Sequence, residues 1–153
     1  MQAATRTTGL RMTEVLFYTN AADKLHAACQ LSSKALSRKM RVMILTPEAR
    51  VTDKVSRLLW TTPSIGFNPH CRSADRLAPI TPIIVDHATD PVIHEEVLIN
   101  LRTDTPSYFS RFRRVVEIVT RDSEDRALAR DRYRFYRDRG YEITTHDLCK
   151  NKS

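Results

Sequence analysis

Histidines and acids crowd one short segment. His87 and His94 stand beside Asp86, Asp90, Glu95 and Glu96, residue types able to hold a metal or move a proton in a hydrolytic site. His70 and Cys71 are neighbours, the base and thiol of a nucleophilic pair. The stretch ALARDRYRFYRDRG, residues 127–140, carries five arginines and three aromatic rings, groups that bind carboxylates and phosphates.

Spacing separates these three. The five histidines include no HExxH pair, and nothing between 86 and 96 fixes a ligand geometry. Polar residues on an exposed loop are the plainer reading, with a hydrolase the rival that a converging pocket would revive. His70 and Cys71 are adjacent in sequence, but adjacent side chains rarely share a metal without further ligands. Cys29, Cys71 and Cys149 lie far apart and form no CxxC pair, so neither a disulfide framework nor a zinc knuckle is indicated. No catalytic residue, metal ligand or cofactor site emerges, and the chain reads as a non-enzyme.

The arginine-rich stretch is different. On a helical wheel Arg126, Arg137, Arg130 and Arg134 fall within about 80° of arc, with Tyr133 at one edge. Leu128 and Phe135 point to the opposite side as anchors to a sheet, and Tyr136 lies on the flank between. Arg126 has Asp122 four residues back, and Arg134 has Asp131 and Asp138 within reach. Arg130 has arginines at both i±4 positions and no acid three or four residues away. Such a row is either a solvated face or an anion-binding strip with an aromatic edge. The second suits a C-terminal carboxylate preceded by a hydrophobic side chain.

A second surface breaks the expected pattern at LLWTTPSIGFNPH, residues 58–70. Val51, Val55, Leu58 and Leu59 share one helical face, and Trp60 lies about 180° from Val51. Pro63, Ile65 and Phe67 follow, so an apolar cluster either sits at the surface as a partner interface or folds back under neighbouring elements. The sequence leaves both open.

These residues need a scaffold, and the apolar runs supply it. EVLFYT (14–19), RVMILT (41–46), PIIVD (82–86), VLINL (97–101) and VVEIV (115–119) read as strands, with YEITT a further edge strand. Asn20 with Asp23 is a capping-box-like start for a helix to about Lys39, in which Cys29 is a core residue. Pro47 opens a second helix, Thr105-Pro106 a short one through Phe112, and Asp122 or Ser123 caps a long last helix that Gly140 ends. Strands alternating with helices predict an α/β single-domain sandwich with a central, largely parallel sheet flanked by helices. The first strand–helix turn, YTNAADK, contains no glycine, and no GxxxxGK[ST] occurs, which argues against nucleotide binding.

A chain of 153 residues, 41% hydrophobic and 28% charged, suffices for one folded domain. Its net charge of +7 favours anionic partners. No apolar run reaches a membrane span, and MQAATRTTGLRM lacks the apolar segment of a secretory signal, so a cytoplasmic location is expected. Residues 1–12 read as a flexible N-terminal extension with Met12 an alternative start, 13–150 as the domain and 151–153 as a tail.

From Thr13 to Lys150 the sequence resembles the chi subunits of bacterial DNA polymerase III holoenzyme. The resemblance is carried by EVLFYT, LLWTTPSIGFNPH, VLINLRT and most specifically LARDRYRFYRDRGY. It implies a mononucleotide-binding fold without the phosphate loop, and a non-catalytic accessory role in DNA replication. It further implies two partners: the psi subunit of the clamp loader, and the acidic C-terminal tail of single-stranded DNA-binding protein. Carried over by position, the tail surface would comprise Arg126, Arg130, Tyr133 and Arg134 with Val119, and the psi surface Trp60, Pro63 and Phe67. The alternative is a direct single-stranded nucleic-acid binder, using the arginines for phosphates and Tyr133, Phe135 or Tyr136 for stacking. Its weakness is that the wheel leaves only one of those rings clearly free.

Overall fold

The apolar runs assemble into one sheet of seven strands. In the computed structural model, which describes residues 12–61, 69–87 and 94–149, the elements follow in order. They are β1 (Glu14–Ala21), α1 (Lys24–Ser37), β2 (Val42–Leu45), α2 (Ala49–Thr61), β3 (His70–Cys71), β4 (Ile83–Asp86), β5 (Val97–Asn100), β6 (Arg114–Thr120), α3 (Ser123–Asp138) and β7 (Ile143–Asp147). The expected extension up to residue 11 and the tail from 151 lie outside the described residues.

Every pairing is parallel, in the order β3-β4-β2-β5-β6-β1-β7. Parallel sheets need cover on both faces, which is why β2, β4 and β5 are apolar at nearly every position instead of alternating. Val42, Ile44, Val85, Ile99 and Ile118 pack under α1 and α2 on one face. Val15, Phe17, Met43, Leu98 and Val115 pack under α3 on the other. Cys29 is fully buried in the first layer, and that burial, with Asp23 a lesser contributor, pushes its thiol up to about 12.

Several local readings are corrected. β1 does not end at Thr19; it passes through a register irregularity between Tyr18 and Ala21, with Asn20 at φ 60°, and continues to Ala21. The cap of α1 is therefore Asp23, whose carboxylate accepts from the His26 amide at 3.0 Å, and not Asn20. The short helix from Thr105 contracts to a 3₁₀ turn, Phe109–Arg111. The stretch 61–81 hides the two-residue edge strand β3. Gly140 stands at φ 82° just past α3, where its missing Cβ permits the left-handed turn.

The face by which α3 meets the sheet is also rotated from expectation. Ala129, Arg132 and Tyr136 are its buried residues, while Leu128 and Phe135 are half-buried. The buried direction lies about 80° round the helix from the Leu128–Phe135 side. Tyr136, placed on the flank by the wheel, is a central core residue.

Candidate peptide-binding cleft

α1 leaves β1 toward one face of the sheet and α3 leaves β6 toward the other. Because β1 and β6 are adjacent, their outgoing chains diverge and leave a crevice beyond the carboxyl ends of the strands, the usual ligand position in open α/β sheets. A cleft of about 340 Å³ lies there. Phe17, Thr19 and Asn20 of β1, Val119 and Thr120 of β6 and Thr145 of β7 meet Arg126, Ala129, Arg130 and Tyr133 of α3 around it.

The turn into α3 is tightly built. Asp122 caps the helix by accepting from the Asp125 amide at 2.9 Å. Asp125 in turn accepts from the Thr120 amide at 2.8 Å and from the Lys24 ammonium at 2.7 Å, which ties α1 to α3 across the strand ends. Burial raises the Asp125 pKa, but Lys24 and Thr120 outweigh it and hold the carboxyl below its usual value.

Within this frame the sequence-predicted residues divide. Val119 lines the cleft, and Tyr133 forms one wall, its ring 5.4 Å from that of Phe17. Arg126 and Arg130 reach the cleft, and neither has an ion pair or side-chain hydrogen bond among the described residues. The acid expected beside Arg126, Asp122, is occupied as the helix cap. Arg134 is not among the lining residues; its guanidinium pairs with Asp131, as Arg137 does with Asp138. The uncompensated charges of the row thus face the cleft.

Sequence reasoning missed what holds α3 in place. Glu117, in the middle of the apolar β6, is fully buried. It accepts from Arg132 Nε at 2.8 Å, Tyr136 Oη at 2.7 Å and Asn100 Nδ2 at 3.0 Å, while Arg132 also donates to the Thr103 carbonyl at 3.1 Å. Burial raises the Glu117 pKa; Arg132 first, then Asn100 and Tyr136, oppose that rise. The available signal was the acid inside VVEIV, which required a buried cation from the following helix.

Trp60 is 60% exposed, its ring 5.1 Å from that of His70. Of the two readings left open, the exposed one is correct for this residue. Pro63 and Phe67 lie outside the described residues. The other groupings gain little. His70 Nε2 meets Ser56 Oγ at 2.9 Å, Asp86 accepts from the amide and hydroxyl of Ser73, and buried His94 meets the Thr81 carbonyl at 2.7 Å. Asp90 lies outside the described residues. Among those described, no three His, Cys, Asp or Glu side chains are grouped to hold a metal ion, and no helix is long and apolar enough to cross a membrane.

The β1–α1 turn bears on nucleotides as well. In phosphate-binding folds this helix N-terminus receives the phosphate. Here the Asp23 carboxylate already caps it, and Asn20 to Asp23 include no glycine. ATP and NAD are expected to leave the melting temperature unchanged; a saturating rise of several degrees with micromolar ATP would refute this.

A family model described as "DNA polymerase III chi subunit, HolC" matches residues 12–144. The chain is 30% identical over 141 residues to DNA polymerase III subunit chi of Pseudomonas aeruginosa, covering 90% of this chain and 98% of that protein. It is 25% identical over 118 residues to the subunit chi of Escherichia coli, covering 76% and 80% respectively. With the subunit chi of Haemophilus influenzae it shares 24% identity over 122 residues, covering 79% and 85%. The chain belongs to the DNA polymerase III chi-subunit family, and its role is that of an accessory protein in DNA replication.

Proposed function

We propose that this chain is a non-catalytic, cytoplasmic adaptor without a cofactor. It joins the clamp loader, through a psi subunit, to the acidic C-terminal tail of single-stranded DNA-binding protein, and so meets DNA only indirectly. The observation that carries the reading is the cleft in which Arg126 and Arg130, free of acidic partners, stand beside Val119 and Tyr133. A terminal carboxylate would take the two guanidiniums, and the apolar side chain before it would rest against Val119 and Tyr133. Arg134, committed to Asp131, contributes long-range attraction and little direct contact.

Direct binding of single-stranded DNA needs a stacking platform. Tyr133 is 38% exposed, but Phe135 lies beneath the Arg139 guanidinium and Tyr136 is buried. One ring is not a platform. Calorimetry with an acidic tail peptide and, separately, oligo-dT is expected to give saturable peptide binding and weak oligo-dT binding. Tight oligo-dT binding that falls steeply with salt, without peptide binding, overturns the adaptor reading.

The psi-facing surface is assigned to Trp60 with Pro63 and Phe67. α2 lies on the face of the sheet opposite α3, so both partners can be held at once. Trp60→Ala is expected to cost well under the roughly 3–5 kcal/mol of a core aromatic deletion while weakening psi binding about tenfold or more. Urea unfolding and a psi titration check the two halves; severe destabilisation, or unchanged psi affinity, refutes the assignment.

A further inference from the structure

Asn20 belongs to two clefts. On one side lies the cleft described above; on the other, a second of about 540 Å³ opens over the end of β1 and the start of α1. Its floor is apolar, formed by Ala21, Ala27 and Leu148. Arg121, from the turn between β6 and α3, stands at its rim. The Arg121 guanidinium meets the Cys149 sulfur and has no carboxylate partner among the described residues. The acid of this cleft, Asp23, already caps α1. Arg121 at the second cleft, and Arg126 and Arg130 at the first, thus stand on either side of Asn20 without a carboxylate partner among the described residues, while Asn20 Nδ2 donates to Asp147 Oδ1 at 3.0 Å between them. Arg134 and Arg137, outside both clefts on the same helix as Arg126 and Arg130, are paired.

We propose that the bound acidic peptide continues past Asn20 and seats a second apolar side chain in this cleft, several residues before its terminus. That side chain lies on Ala21, Ala27 and Leu148, and a neighbouring carboxylate meets Arg121. The floor selects an apolar group, the rim selects an acid, and because Asn20 borders both clefts one extended chain can reach from one to the other. The inference rests on the reading of the first cleft as the seat of a terminal carboxylate.

Fluorescence anisotropy with two synthetic peptides separates the two seats. The short peptide is acidic and ends in Phe with a free carboxylate; the long one adds acidic residues and a second Phe upstream. The long peptide is expected to bind about three- to tenfold more tightly, the range of one partly buried ring and one exposed charge contact. Arg121→Ala and Gln30→Trp, which fills the second cleft, should each remove most of that gain and leave short-peptide affinity at the wild-type value. Replacing the upstream Phe by Ala should do the same. Equal affinity of the two peptides, or a gain that survives Gln30→Trp and the upstream replacement, overturns the proposal. Failure of the short peptide to bind wild-type protein overturns the first-cleft reading and this one with it.

Discussion

Arg132→Ala is expected to destabilise the protein by about 3–5 kcal/mol, a large part of the roughly 5–15 kcal/mol that holds a typical domain folded. The loss comes from what remains behind. Glu117 is buried on all sides, and without Arg132 its carboxylate keeps only the Asn100 and Tyr136 hydrogen bonds. Burial already raises its pKa and Arg132 is the chief force opposing that rise, so the variant's Glu117 titrates higher still. A carboxyl whose folded pKa exceeds its unfolded value favours the fold at low pH and loses that contribution as pH rises. The deficit relative to wild type should thus narrow as pH falls and Glu117 takes up a proton, and widen as pH rises. Urea titrations at several pH values measure it; a deficit independent of pH would show that lost packing, not an orphaned charge, is responsible. The double change Glu117→Gln with Arg132→Met should recover much of the stability, because it removes the charge with its partner.

Arg130→Ala should weaken binding of the acidic tail by about ten- to a hundred-fold while leaving the fold intact, since charge-assisted hydrogen bonds to a carboxylate contribute roughly 1.5–3 kcal/mol. Arg130 is exposed, lines the cleft and has no internal acid, so the carboxylate need not break an existing pair to reach it. Removing one member of a like-charged row at i±4 relieves repulsion and offsets the packing lost. Rising salt should weaken wild-type binding, with screening over about 8–10 Å at physiological ionic strength. Arg134→Ala provides the contrast: its guanidinium is held by Asp131 outside the cleft, so a smaller loss is expected. Equal peptide affinity for wild type and Arg130→Ala would return the arginine row to the status of a solvated face.

Much of this architecture is legible in the sequence because burial on both faces leaves strands as unbroken apolar runs. RVMILT, PIIVD and VLINL could hardly be anything else. The exposure of Trp60 was only half readable: it sits opposite a regular apolar stripe, but the apolar loop that follows could equally have folded back over it. What escaped were places where a polar residue does the work of an apolar one. Arg132 and Glu117 each look like surface residues when read alone, and only their pairing makes them core; that pairing joins a strand to the following helix, beyond any periodicity. Reading Leu128 and Phe135 as the anchor followed from the same error, because an arginine was not admitted to the buried face. The cleft itself depends on which strands become neighbours, and no local pattern shows that β1 lies between β6 and β7.

The placement of β1 also bears on how the chain comes to be folded as it is made. Of the described strands β1 leaves the ribosome first, yet its hydrogen-bonding neighbours are Arg114–Thr120 and Ile143–Asp147, the last two of them. Strands β2, β4 and β5 can pair among themselves far earlier. The N-terminal strand therefore waits with both edges open through most of synthesis, and its contacts close only over the longest loops available, where chain entropy opposes them most. The cleft takes Val119, Thr120 and Thr145 from the same late strands and its arginines from α3, so a chain truncated before β6 lacks the partner of its own first strand and every part of the cleft except the β1 wall. Until then EVLFYT is a hydrophobic ribbon in need of shelter from other chains.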